Sequence, residues 1–179
     1  MKKRIIALGL LWCLSAVMLQ AARVDTVLVR SAAMNKDVKV VYVLPDKAIG
    51  KQACPVVYLL HGYGGNARSW VQLKPELPQM ADEKGIIFVC PDGKNSWYWD
   101  SPENPAYRYE TFVTSELVKY TDGNYATIPD SKARAISGLS MGGHGALWSA
   151  IRHKDVFGAA GSMSGGVDIR PFPQNWEMN

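Results

Sequence analysis

The chain has 179 residues, 47% hydrophobic and 20% charged, which is enough for one domain with a real core and too apolar for a disordered segment. Its net charge of +4 owes most to Lys2, Lys3 and Arg4; without these three, the 20 basic side chains come within about one of the 16 acidic ones. That balance argues against nucleic acid or an acidic membrane surface as a partner.

The first stretch, MKKRIIALGLLWCLSAVMLQAA, has a basic start, an apolar run from Ile5 to Leu19 and a small-residue end at Ala21-Ala22. It predicts a secretory signal peptide over residues 1–22, cleaved at Ala21 or Ala22, and a secreted or periplasmic product with no stable membrane insertion afterwards. The run is short for a bilayer span, which disfavours an uncleaved anchor. Residues 23–179 then form a single domain.

Two extended segments follow, VDTVLVRSA and KDVKVVYVLP, rich in β-branched residues and linked through Met34-Asn35, which predicts an antiparallel pair. PVVYLLHGYGG is a solid apolar run ending in glycines, as suits a strand buried on both faces of a parallel sheet. A helix is expected over residues 67–84, weakened by Pro75 and Pro78, before GIIFVCPDG repeats the pattern of buried strand and glycine turn. Residues 94–107 read as an aromatic, proline-interrupted loop. ETFVTSELVKYTDGNY reads as a helix with Phe112, Leu117 and Tyr120 facing inward.

KARAISGLS is another buried strand and runs straight into Ser140. The helix after it, from about Gly143 to His153, is expected to turn Leu147, Ala150 and Ile151 toward the core. FGAAGSMSGG reads as a strand of small residues, and the polar, proline-broken tail carries no closing element. Alternating strands and helices with glycine turns predict an α/β layered fold. In it Cys54 and Cys90 would stand at opposite ends of the sheet, roughly 20 Å apart at about 3.3 Å per residue, and they read as buried apolar residues, not as a disulfide.

Gly138-Leu139-Ser140-Met141-Gly142 sets a serine between two glycines. The spacing alone fits either a nucleophile on a tight turn or a polar residue in a glycine loop. Its place at the junction of a buried strand and an amphipathic helix favours the nucleophile, held with positive φ where flanking side chains would clash. The Met141 N–H, at the start of the helix, is a candidate donor to an oxyanion. A second donor should come from LLHGYGG, where glycines admit close approach and the Tyr63 N–H is the candidate.

The chain resembles the esterase D group of α/β-hydrolases, which takes in S-formylglutathione hydrolases, tributyrin, feruloyl and acetyl esterases, and the antigen 85 mycolyltransferases. The likeness runs from about Val24 to Arg170 and rests on YLLHGYGGN, CPDG, SWYWDSP, YRYETFVTSEL, ARAISGLSMGGHGAL and FGAAGSMSGG. It implies an α/β-hydrolase fold, a mostly parallel sheet with helices on both faces. It also implies a carboxylic ester hydrolase needing neither metal nor cofactor, acting on a small ester or an acylated polysaccharide. Carried over by position, Ser140 is the nucleophile, Met141 and Tyr63 form the oxyanion hole, and Trp97 and Tyr98 line an acyl pocket or simply pack as loop aromatics.

A serine hydroxyl needs a base and an acid to orient it, and in this fold both follow the serine in the chain. After Ser140 come only His144, expected on the helix surface, and His153, expected far from the hydroxyl; His61 is expected to shape the oxyanion loop, and Asp168 falls one strand early for the acid. The resemblance therefore implies a chain lacking its C-terminal strands and helices, weakly active or inactive as given and prone to aggregate at an uncovered sheet edge. Two alternatives stay open: an acyltransferase of the mycolyltransferase type, and a non-catalytic binding protein on the same fold.

Overall fold

A computed structural model describes residues 22–168 and 170. The signal-peptide expectation falls on residues 1–21, outside the described residues, and on Ala22. Ala22 itself is buried, and its N–H donates to Asp82 Oδ2 at 2.6 Å.

Six strands make one sheet in the order β1-β2-β4-β3-β5-β6. β1 (Arg23–Ser31) and β2 (Lys36–Leu44) form the antiparallel hairpin predicted from their β-branched runs, and β2 pairs antiparallel with β4 (Ile87–Pro91). β4, β3 (Val56–Leu60), β5 (Arg134–Leu139) and β6 (Ala159–Met163) run parallel. A short α1 (Asp46–Ile49) lies between β2 and β3. The helix expected over 67–84 is two: α2 (Ser69–Leu73) stops before Pro75, and α3 (Leu77–Lys84) restarts with Pro78 in its first turn, where the missing N–H costs nothing.

Alternate residues of each inner strand feed the two faces of the sheet. Val40, Tyr42, Tyr58 and Ile136 join one core with Phe112 and Leu117; Val41, Val43, Leu59 and Cys90 join the other with Trp70 and Leu77. Cys54 and Cys90 are both buried free thiols. The helical stretch after the aromatic loop runs from α4 (Tyr109–Thr111) through a π turn (Phe112–Glu116) into α5 (Leu117–Asn124). Phe112 and Leu117 are fully buried, as expected, and Tyr120 packs against the core from a half-buried position.

α6 (Met141–Arg152) begins two residues earlier than the periodicity suggests and turns a different face inward. Its buried residues are Met141, Gly142, Gly143, Gly145, Ala146 and Ser149, while Ile151 is 66% exposed and Leu147 and Ala150 are half-buried. The helix lies so close to β3 that only small residues fit between them, and that close approach outweighs the larger apolar side chains as a guide to its inner face.

β6 is the last strand on its side of the sheet among the described residues, and most of it is exposed, including Met163. An unpaired edge of this kind is a template for strand addition. The 179-residue chain is expected to self-associate as its concentration rises, and Met163→Lys is expected to weaken this association in light scattering. A monomer at all concentrations would show that the edge is not adhesive.

Candidate active site

The parallel strands are visited outward from β3, first to β4 on one side and then to β5 on the other. Ligands in open α/β sheets bind at the C-terminal ends of strands where this order reverses. Here the reversal brings together the loop after β3, carrying His61, Gly62 and Tyr63, and the bend after β5, carrying Ser140. A Cβ on Gly62 would lie 3.3 Å from Leu139 O and 3.6 Å from the Ser140 Cβ, so the two segments are in van der Waals contact.

Ser140 has φ 53° and ψ −115°, a conformation that L-residues rarely adopt, and its side chain is exposed. Its own N–H donates to Met163 O of β6 at 2.8 Å, and its carbonyl accepts from His144 N. Met141 follows as the first helical residue, where no carbonyl of the helix can take its N–H. The glycines on either side are sterically forced. A Cβ on Gly142 would sit 2.7 Å from His61 O and closer still to Leu60 O, and one on Gly138 would overlap the Gly142 carbonyl.

The loop after β3 is braced from below. Tyr98 is fully buried, with φ 61°, and its hydroxyl accepts the His61 N–H at 3.0 Å. Its ring fills the space beside Gly145, where a Cβ would come within 2.6 Å; that glycine serves Tyr98 and not the sheet. Burial pushes the Tyr98 phenol well above its usual value, so it stays neutral and keeps its proton while its oxygen accepts from His61. The His61 ring lies 2.8 Å from Gly62 O through Nδ1, and its Nε2 accepts the Gly93 N–H at 2.9 Å. With Nε2 thus occupied, the 3.8 Å approach to Asp92 Oδ1 is not a donated hydrogen bond. Asn95 Oδ1 accepts from Gly64 N at 2.9 Å and completes the brace. The aromatic composition of the 94–107 loop was the signal for this brace, but Asn95 carried none.

Of the residues read from the sequence, Ser140, Met141 and the Tyr63 loop are therefore adjacent. Tyr98 takes the packing alternative, beneath the loop, and Trp97 is 6% exposed against His144 and Gly166. His144 is not a surface side chain: it is half-buried among Trp97, Trp99 and Trp148. His153 bonds to Glu110 Oε1 at 2.8 Å, and Asp168 pairs with Arg170 at 2.7 Å. Among the described residues no histidine nitrogen is hydrogen-bonded to the Ser140 hydroxyl, and no three His, Cys, Asp or Glu side chains group as metal ligands.

Glu110, unmarked in the sequence reading, ties α4 to the far end of α6 by accepting from Trp148 Nε1, Arg152 Nε and His153 Nε2 at 2.7–2.8 Å. Burial alone would raise its carboxyl, but these hydrogen bonds and the Arg152 charge outweigh it and hold the group below the usual glutamate value. A carboxyl lowered in the fold stabilises above its unfolded value and loses that contribution as pH falls through the folded one. Glu110→Gln is expected to cost about 1–3 kcal/mol near neutrality. In urea titrations at successive pH values, its deficit against the unchanged protein should shrink below the ordinary glutamate range. A deficit independent of pH would refute the ion-pair account.

Residues 31–178 match the family described as "Putative esterase". The chain is 29% identical over 136 residues to the acetyl esterase of Caldicellulosiruptor saccharolyticus, covering 71% of this chain and 50% of that protein. It is 34% identical over 155 residues to the diacylglycerol acyltransferase/mycolyltransferase Ag85A of Mycobacterium gordonae, covering 81% and 43%. A solved ferulic acid esterase superposes with a TM-score of 0.73 at 31% identity, over 83% of this chain and 62% of that one. The chain spans about half the length of the curated relatives it matches. With the α/β-hydrolase sheet, the bend at Ser140 and these likenesses in agreement, the chain belongs to the esterase family.

Proposed function

We propose that this protein hydrolyses carboxylic esters through an acyl intermediate on Ser140. The observation that carries the reading is the backbone at that residue: a positive φ on a non-glycine residue, between glycines that admit no side chain, at the reversal point of the sheet. Such strain persists where the surrounding structure enforces it, and it aims the hydroxyl away from the sheet. Attack of Oγ on the ester carbonyl forms the C–O bond and drives charge onto the carbonyl oxygen. The Met141 and Tyr63 N–H groups are the proposed donors to that oxygen. The alcohol leaves with a proton, and water then releases the acid.

The acetyl and ferulic acid esterases among the relatives favour a short acyl or aryl ester, and the basic-then-apolar leader favours export toward an acylated polysaccharide. All three histidines of the chain are engaged elsewhere, so the general base and its carboxylate are proposed to come from sequence downstream of Asn179. An Asp and a His in the following hundred or so codons would support this; unrelated sequence or a stop there would favour a non-catalytic binding protein. The likeness to Ag85A supports acyl transfer to a sugar as a second reading. Incubating the protein with an aryl acetate and mapping the acyl adduct by mass spectrometry tests the first step, and the split of the acyl group between water and an added sugar separates the two. An adduct on any residue but Ser140 rejects the proposal.

A further inference from the structure

The 94–107 loop and the residues after β6 meet at one side chain, His144, whose N–H bonds Ser140 O one helical turn back. Its two ring nitrogens are engaged in opposite senses. Trp99 Nε1–H, a group that can only donate, reaches Nε2 at 2.8 Å. Gly166 O, which can only accept, lies 2.7 Å from Nδ1. These partners assign a neutral ring with its proton on Nδ1. The Trp97 and Trp99 rings meet it edge-to-face with centroids 5.4 Å and 5.2 Å from its own, and Trp148 stacks with centroids 6.1 Å apart. The segment after β6 is pressed equally close, since a Cβ on Gly165 would come 2.9 Å from His144 N.

We propose that His144 is a proton-sensitive positioning residue: neutral, it latches the aromatic loop and the segment after β6 onto the first turn of α6, and protonated, it lets Trp99 go. The imidazolium carries N–H at both nitrogens, so its Nε2–H would face the Trp99 N–H, donor against donor. Among the described residues no charged side chain bonds the ring to compensate. On the loop, Lys94 pairs with Asp92 and Asp100 accepts from Thr111; on α6, Arg152 is held by Glu110, as is His153 at its end; after β6, Asp168 holds Arg170. None of these bonds either nitrogen of His144.

Burial lowers the His144 imidazole below its usual value, against the weaker opposing pull of the Gly166 hydrogen bond. The latch is thus closed at neutral pH and opens only in acid. Because the unfolded chain takes the proton more readily, the contribution of this side chain is complete above the ordinary imidazole range and is lost as pH falls through its lower folded value. The consequence for the site follows from the loop itself. Asn95 and Tyr98, which brace Gly64 and His61, belong to the same segment that Trp99 anchors. Release of Trp99 would loosen the support under the proposed oxyanion donor, so the effect on turnover rests on the reading of Ser140 given above, whereas the latch does not.

Tryptophan emission and its quenching by acrylamide, followed from pH ~8 to ~4.5 across the imidazole range, test the proposal. The unchanged protein should show a reversible one-proton transition below the ordinary imidazole range, with quenching rising at least about twofold. His144→Gln, which keeps an acceptor and a donor on one planar head but does not ionise, should show no transition. His144→Leu, which keeps bulk alone, should be quenched at both ends as the unchanged protein is in acid. A transition that persists in His144→Gln overturns the latch, as does a His144→Leu protein as protected as the original at neutral pH. Should either variant fold poorly, ¹⁵N shifts of the ring in the unchanged protein report the tautomer directly, and a proton on Nε2 overturns it. Ester turnover in a form of the protein extended to include the downstream base separates the two readings. Absence of turnover at every pH in that form, with the emission transition intact, counts against Ser140, and an acid limb identical in His144→Gln counts against the latch.

Discussion

Ser140→Ala, in a form of the protein that turns over aryl acetates, is expected to lower kcat/KM by about four orders of magnitude or more. It should also abolish labelling by a fluorophosphonate. Removing the nucleophile leaves only the binding and oxyanion contributions, which act on water as the attacking group and give a small residual rate. The side chain is exposed and its backbone is tied down by Met163 and His144, so the unfolding midpoint should hardly change. That combination, chemistry lost and stability kept, distinguishes a nucleophile from a structural serine. A variant that keeps its esterase rate, or a label found on another residue, would dispose of the assignment.

Gly142→Ala is expected to show the opposite pattern in stability, with a loss of about 3 kcal/mol or more. The added methyl would lie 2.7 Å from His61 O and nearer to Leu60 O, both of them backbone atoms of β3 and its following loop. No side-chain rotation relieves such a clash. Either α6 lifts from the sheet or the loop moves outward, and both outcomes displace Met141 and Tyr63 relative to one another. Chemical denaturation gives the stability loss. Activity should fall even at temperatures where the variant is folded. A variant as stable as the original would mean that α6 has more room over β3 than its glycines indicate.

The alternation of apolar runs and glycine turns was enough to read the layered fold, because strands buried on both faces have no polar side to confuse their period. The Ser140 bend was readable for a similar reason, since its glycines answer a local clash within five residues. Periodicity failed at α6. Leu147 and Ile151 look like an inner face by hydrophobicity, but the distance to the sheet selects Gly142, Ala146 and Ser149, and that distance is a tertiary quantity. His144 and Glu110 were misjudged or missed because their roles depend on partners 22 to 45 residues away, Gly166 and Trp99 for one and Arg152 for the other, which no local pattern announces. Tyr98 was singled out as a loop aromatic near the site. Only the three-dimensional packing distinguishes an aromatic that lines a pocket from one that holds up the backbone beside it.

The bond from the Ser140 amide to Met163 gives β6 a say in how the serine is held. When β6 frays, the bend loses the anchor that opposes its left-handed torsion and gains freedom to relax. Whatever covers that strand, another protein segment or a second copy of the chain, therefore tightens the reactive residue without touching it. In hydrogen exchange, the Ser140 amide should open in step with β6 and not with the rest of β5, so that the readiness of the serine is metered by the integrity of the sheet's margin.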